Sequence, residues 1–288
     1  MKAFVVAILS ILTMTSCKNS NSNKMTPQNT AESTSGFANV NGLKMYYEIH
    51  GTGEPLVLIH GGGSTIETTF GSILPELAEN NTVIAVEMQA HGHTADRDKP
   101  LSFEQDADDI AALLKELKIQ KANILGFSNG GTTTLQFAIR HPEMTNKIIV
   151  ASSFYKRSGA PDWFWPMMNN PTFEGMPQPF KEAFLKINPD PNALRQMYKR
   201  DVARMQSFTD ITDEQMKSIK APALIIMGDK DVVTTSHAAE MQNILSGARL
   251  AILPGGHGDY IGEITTPQDK KYISATVAMI TKFLNNKL

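Results

Sequence analysis

Gly126-Phe127-Ser128-Asn129-Gly130 lies between an apolar run, Ala122-Asn123-Ile124-Leu125, and a helix-like segment that starts at Gly131. Strand, Gly-x-Ser-x-Gly and helix in that order constrain the backbone severely. The turn leaves no room for a Cβ two residues before or two residues after the serine, so both places are glycine. The serine itself is forced into a strained conformation, with Oγ projecting above the edge of a sheet. The next backbone N–H, that of Asn129, falls at a helix N-terminus, where it can stabilise an anion.

The rest of the chain repeats the strand-then-helix pattern. Phe37 to His50 reads as a hairpin around the turn dipeptide Asn41-Gly42. Continuous apolar runs at 55–60, 82–88, 122–127, 147–152 and 221–227 read as strands buried on both faces, and 249–253 is the last strand candidate. Helical periods fall at about 66–80, 102–118, 130–141, 234–246 and 267–286. The alternation predicts an α/β fold, a mostly parallel central sheet flanked by helices, with ligand sites beyond the strand carboxyl ends. Residues 154–219 break the pattern. They carry both tryptophans, many methionines and prolines, and helix-like stretches near 178–187 and 191–207. We read them as a helical cap inserted between two strands of a domain spanning 37–288.

At 288 residues, 41% hydrophobic and 19% charged, the chain has the composition of a globular domain. A net charge of −2 offers no basic face to nucleic acid. Met1-Lys2, an apolar run from Ala3 to Met14, Thr15-Ser16-Cys17 and then a polar stretch have the layout of a bacterial secretion signal. Cys17, the single cysteine, follows small residues and resembles the lipidated cysteine of a lipobox, with Met14 where leucine is usual. The expectation is a signal over 1–17, a flexible tether over 18–36, and a protein held at the bacterial cell envelope by lipid alone. The histidines lack a metal-ligand spacing and Gly61-Gly62-Gly63 lacks the dinucleotide register, so no metal or cofactor is expected.

Ser128 needs a base, and that base needs a carboxylate. His257, in Pro254-Gly255-Gly256-His257-Gly258, follows the last strand candidate at the carboxyl edge of the sheet. Asp231, in Met227-Gly228-Asp229-Lys230-Asp231, follows a strand and precedes a helix; Asp229 is its competitor, or a turn former. The strand ending at His60 runs into Gly61-Gly62-Gly63, whose N–H groups can approach a ligand closely. His91 and His93 are read as structural.

The order Ser128, Asp231, His257 and the glycine-rich loop resemble the α/β-hydrolase superfamily over about 40–287. Glu87-Met88-Gln89-Ala90-His91-Gly92-His93-Thr94 resembles that family's Asp-x-x-Gly-His-Gly-x-Ser/Thr loop, with Glu87 for aspartate and Ala90 for glycine. The resemblance implies a Ser128–His257–Asp231 triad and an oxyanion hole from the N–H groups of Asn129 and Gly62, with Gly63 the alternative. It implies an acyl-enzyme route on a small-molecule substrate, a carboxylic ester by default. The same triad serves C–C bond hydrolases, lactonases and cofactor-free perhydrolases, and a non-catalytic surface-binding lipoprotein is the contrasting class. The cap residues Trp163, Trp165, Met167 and Met168 are candidates for lining an apolar substrate pocket.

Overall fold

Alternate residues of each central strand point into two different cores, and that division organises the molecule. The computed structural model describes residues 33–286. In β3 (Glu54–Ile59), Val57 and Ile59 face one apolar cluster while Leu56 and Leu58 face the other. The same division holds in β4 (Asn81–Val86), β5 (Ala122–Phe127), β6 (Thr145–Ala151) and β7 (Ala223–Gly228). This is why those segments read as unbroken apolar runs. The eight-stranded sheet has the order β1-β2-β4-β3-β5-β6-β7-β8, where β1 is Thr34–Val40, β2 is Leu43–His50 and β8 is Arg249–Leu253. From β4 to β8 the neighbours are parallel; β2 runs antiparallel to both β1 and β4.

One face is covered by α1 (Ile66–Phe70), α2 (Leu74–Ala78) and α10 (Lys270–Asn285). The other is covered by α3 (Phe103–Glu116), α4 (Asn129–Arg140) and α9 (Thr235–Ile244). The helix expected over 66–80 is thus two short helices. Gly71-Ser72 interrupts it, and Pro75, which has no N–H to donate, fits only the first turn of a new helix. The last helix starts at Lys270, not 267, because the Asp269 carboxylate caps it by accepting from the N–H groups of Lys271 and Tyr272.

Between β6 and β7 lie α5 (Phe164–Asn169), α6 (Gln178–Ile187), α7 (Pro191–Gln206) and α8 (Asp213–Ser218). Phe184, Leu194 and Met197 of α6 and α7 form a small core with Met176 and Ala90. Phe208, Ile211 and Met216 already belong to the main core, so α8 returns to the body of the domain. β1 starts at Thr34, ahead of the domain boundary expected at 37. Cys17, the apolar leader and residues 18–32 of the tether lie outside the described residues.

Candidate active site

The backbone of Ser128 has φ 55° and ψ −120°, a combination that L-residues avoid. It joins β5 directly to α4. A Cβ on Gly126 would come within 1.9 Å of the Gly130 carbonyl oxygen, and one on Gly130 within 2.1 Å of that of Ile59. Only glycine fits either place. The turn is pinned from β6, where the Ala151 carbonyl accepts the Ser128 N–H at 2.9 Å. Ser128 then opens onto a cavity of about 590 Å³ that His257, Gly62 and Asn129 also line. Ser128 Oγ makes no hydrogen bond among the described residues.

His257 and Asp231 meet from loops at the ends of β8 and β7. His257 Nδ1 is 2.7 Å from Asp231 Oδ1, and the Asp231 side chain is fully buried. Oδ1 also accepts from the N–H of Val232 at 2.6 Å, and Oδ2 accepts from Ser152 Oγ–H and the Gly228 N–H. Burial opposes the charge of Asp231. The bond and charge of His257, with the Ser152 and Gly228 donors, outweigh it and hold the carboxyl below the usual range. With its proton given to Asp231, the Ser152 hydroxyl accepts from Tyr260 at 2.7 Å. Asp229 takes no part. Its Oδ1 accepts the Gly255 N–H at 2.8 Å and so ties the loop after β8 to the loop after β7.

The loop after β3 is fixed from below and above. Buried His60 donates from Nδ1 to the Gly61 carbonyl at 2.7 Å and accepts the Met88 N–H on Nε2 at 3.1 Å. Burial, with the neighbouring His91 charge, lowers its pKa to about 3, so the ring is neutral. From above, the Gly63 N–H donates to Asp201 Oδ2 of α7 at 2.6 Å. The N–H groups of Gly62 and Asn129 donate no hydrogen bond among the described residues. A Cβ on Gly62 would come within 2.5 Å of the Asn129 amide nitrogen.

Asp201 belongs to a buried polar group. His91 Nε2 lies 2.9 Å from Asp201 Oδ2, while its Nδ1 faces the Gln89 carbonyl at 2.9 Å. Both ring nitrogens face acceptors, so both carry protons and His91 is an imidazolium. Burial opposes that charge; the Asp201 carboxylate outweighs it and raises the His91 pKa. Arg204 bridges Asp201 Oδ1 at 2.5 Å and Asp106 Oδ2 at 2.8 Å. Burial pushes the Asp106 carboxyl up to about 6. His93 bonds Glu87 and stacks on Tyr46, away from the cavity.

The outer wall of the cavity is apolar: Phe154, Phe164, Met167, Met168, Met176 and Met205. Met167 and Met168 are in the cavity wall. Trp163 and Trp165 do not line the cavity, which corrects their assignment as substrate-binding residues. Trp165 packs among Phe154, Phe164 and Phe208, its Nε1–H bonded to the Arg157 carbonyl at 2.6 Å. Trp163 is 54% exposed on the outside of α5. Among the described residues that line the cavity there is no Lys or Arg, and the one carboxylate is Asp201. Among the described residues, no group of His, Cys, Asp and Glu is arranged to hold a metal.

Sequence reasoning missed Asp201, Ser152 and Tyr260. Ser152 had a positional signal, the carboxyl end of a predicted strand. Asp201 had none, being 138 positions from the glycine it holds.

A family model described as alpha/beta hydrolase fold matches residues 54–182. The chain is 30% identical to the human "Serine hydrolase BPHL" over 246 residues, 77% of this chain and 79% of that one. It is 25% identical to the 2-hydroxy-6-oxo-6-(2'-aminophenyl)hexa-2,4-dienoic acid hydrolase of Metapseudomonas resinovorans, over 85% of this chain and 90% of the relative. Among solved structures, the 2-hydroxy-6-oxo-6-phenylhexa-2,4-dienoate hydrolase from Rhodococcus sp. strain RHA1 superposes with a TM-score of 0.72. That match has 19% identity and covers 88% of this chain and 99% of the other. Fold, elbow and relatives together place the chain in the alpha/beta hydrolase superfamily.

Proposed function

We propose that the protein is a serine hydrolase that cleaves a carboxylic ester or related acyl bond of a small, largely apolar substrate. The observation that carries this reading is the buried Asp231 carboxylate on His257 Nδ1, with His257 and Ser128 facing one apolar cavity. Asp231 fixes the tautomer that leaves Nε2 free to take a proton. In the proposed reaction, Ser128 Oγ bonds to the substrate carbonyl carbon and its proton passes to His257. The N–H groups of Asn129 and Gly62 bind the oxyanion. As the intermediate collapses, the leaving alcohol takes the proton from His257. Water, deprotonated by the same histidine, then releases the acid and restores Ser128.

The second reading is C–C bond hydrolysis. The dienoic acid named for the Metapseudomonas relative contains no ester or amide, so its hydrolysis breaks a carbon–carbon bond beside a ketone. Such a substrate brings a carboxylate. A cavity whose lining, among the described residues, holds no Lys or Arg to pair with that carboxylate favours an uncharged ester instead.

A fluorophosphonate probe should label the purified protein and fail on Ser128→Ala. That variant should lose on the order of 10⁵-fold or more in kcat on a p-nitrophenyl ester, with its thermal midpoint unchanged. Retention of more than about one part in a hundred of the activity would reject Ser128. A higher kcat/KM on a vinylogous diketone acid than on any ester would favour carbon–carbon cleavage.

A further inference from the structure

The contact between α7 and the loop after β3 gives the cap a part beyond lining the substrate pocket. Asp201 Oδ2 takes the Gly63 N–H at 2.6 Å, next to Gly62, a cavity-lining residue whose N–H donates no hydrogen bond among the described residues. We propose that Asp201 is a positioning residue of the oxyanion hole, supplied by the cap. It occupies the Gly63 donor and holds the peptide that follows Gly62, while His60 holds the preceding peptide through the Gly61 carbonyl; the Gly62 N–H is then the donor left for the developing oxyanion. This rests on the acyl-transfer reading above.

Three features support the assignment. First, the carboxylate is itself held: His91 Nε2 and Gly63 N–H bond one oxygen and Arg204 the other, so its rotamer is fixed by three donors on three different segments. A rigid acceptor makes a rigid loop, which is what preorganised electrostatic stabilisation requires. Second, an anion beside an oxyanion hole would oppose the reaction if its charge were bare. Here the His91 imidazolium and Arg204 balance it, and Arg204 is shared with Asp106 on α3. That accounts for four ionisable side chains buried at this spot. Third, Gly63 has φ +68°, so the loop visits a left-handed conformation that is weakly held by its own backbone. Asp201 supplies the acceptor at Gly63 itself; the Ser64 hydroxyl donates to the Gly62 carbonyl at a longer 3.3 Å, and His60 holds the peptide before Gly62.

The test compares Asp201→Ala and Asp201→Asn with wild type, with rates expressed per serine labelled at completion by a fluorophosphonate. For Asp201→Ala we expect kcat on a p-nitrophenyl ester to fall about 100-fold with KM within about threefold, since the lost interaction belongs to the transition state. Inhibition by a trifluoromethyl ketone, whose hemiketal oxygen occupies the oxyanion site, should weaken by the same factor. Asp201→Asn keeps a neutral acceptor at Gly63 and should lose about tenfold in both. A merely structural role would lower the thermal midpoint and the labelled fraction while leaving ketone affinity per labelled serine unchanged. That outcome, or a kcat within threefold of wild type, overturns the proposal. If Asp201→Ala shows no cooperative unfolding transition, Asp201→Asn decides: unchanged kcat and unchanged ketone affinity overturn it. Failure of the hydrolase reading is separate, because wild type would then resist the probe or Ser128→Ala would retain activity.

Discussion

Asp229 and Asp231 stand two residues apart in one turn and differ in what they touch. Asp231 is buried against His257, Ser152 and the Gly228 N–H; Asp229 holds the Gly255 N–H at the surface. Asp231→Asn should therefore lower kcat on the order of 10⁴-fold, by presenting an amide where His257 Nδ1–H needs an acceptor. Asp229→Asn, which keeps an acceptor oxygen for Gly255, should cost less than about fivefold. Ester hydrolysis by the two variants checks this, and the reverse ranking would move the acid to Asp229. Ser128 and His257 were legible because glycine spacing and the ends of apolar runs fix where a side chain must emerge. Gly62, with Gly63 the alternative, came from the family resemblance; that the Gly63 N–H already has an acceptor was not legible, because that acceptor lies on a distant helix. Ala90, where the family has glycine, keeps φ +68° and places its methyl in the cap core with Met176 and Phe184. The departure exchanges backbone ease for a contact that only the folded cap supplies.

At the scale of elements, the strands read cleanly because burial on both faces leaves a continuous apolar signal. Helix limits read less well where a single proline or cap decides them, as at Pro75 and Asp269. One element depends on a residue that periodicity does not mark. Lys147, inside β6 and 8% exposed, sends its ammonium to the carbonyls of Phe283, Leu284 and Asn286 at 3.1, 2.6 and 2.6 Å. These carbonyls lie at the C-terminal end of α10, where a helix leaves its last carbonyls without intrahelical donors and a positive charge is favoured. Burial lowers the Lys147 pKa, yet the three acceptors need its N–H donors. Lys147→Met keeps the apolar stem and removes the donors. It should destabilise the fold by about 2 kcal/mol, a fall of roughly 4–8 °C in the thermal midpoint. The rate of hydrolysis measured for wild type at 25 °C should be unchanged, since the candidate site lies at the opposite strand ends. A midpoint equal to wild type would mean that water caps α10 as well as lysine does.

For the whole molecule, the decisive link is the one between cap and body, and its strength should depend on pH. The Asp201–His91 ion pair joins α7 to the loop after β4, with Arg204 and Asp106 beside it and a neutral His60 behind. Burial opposes the Asp201 charge, but the His91 and Arg204 charges with the Gly63 N–H hold its pKa far below the ordinary 3.8. Its contribution to stability is thus fully present above pH 3.8 and is lost as pH falls through the lower folded value. His91 behaves in the opposite sense. Its pKa is raised above the ordinary 6.5, so its contribution is complete below pH 6.5 and is lost as pH rises through the folded value. The pair therefore stabilises most between pH 3.8 and 6.5. Asp106, pushed up to about 6 by burial, slopes the other way: stability falls as pH rises from 3.8 through that value. Because wild type and Asp201→Asn both carry Asp106, its effect largely cancels in their difference. Breaking one partner of a buried pair costs about 3 kcal/mol. The gap in thermal midpoint between wild type and Asp201→Asn should be widest within that window. It should narrow on the acid side as Asp201 protonates in wild type, and on the basic side as His91 becomes neutral. A gap that stays constant from acid to alkaline pH would mean that Asp201 acts through shape alone, with His91 uncharged beside it.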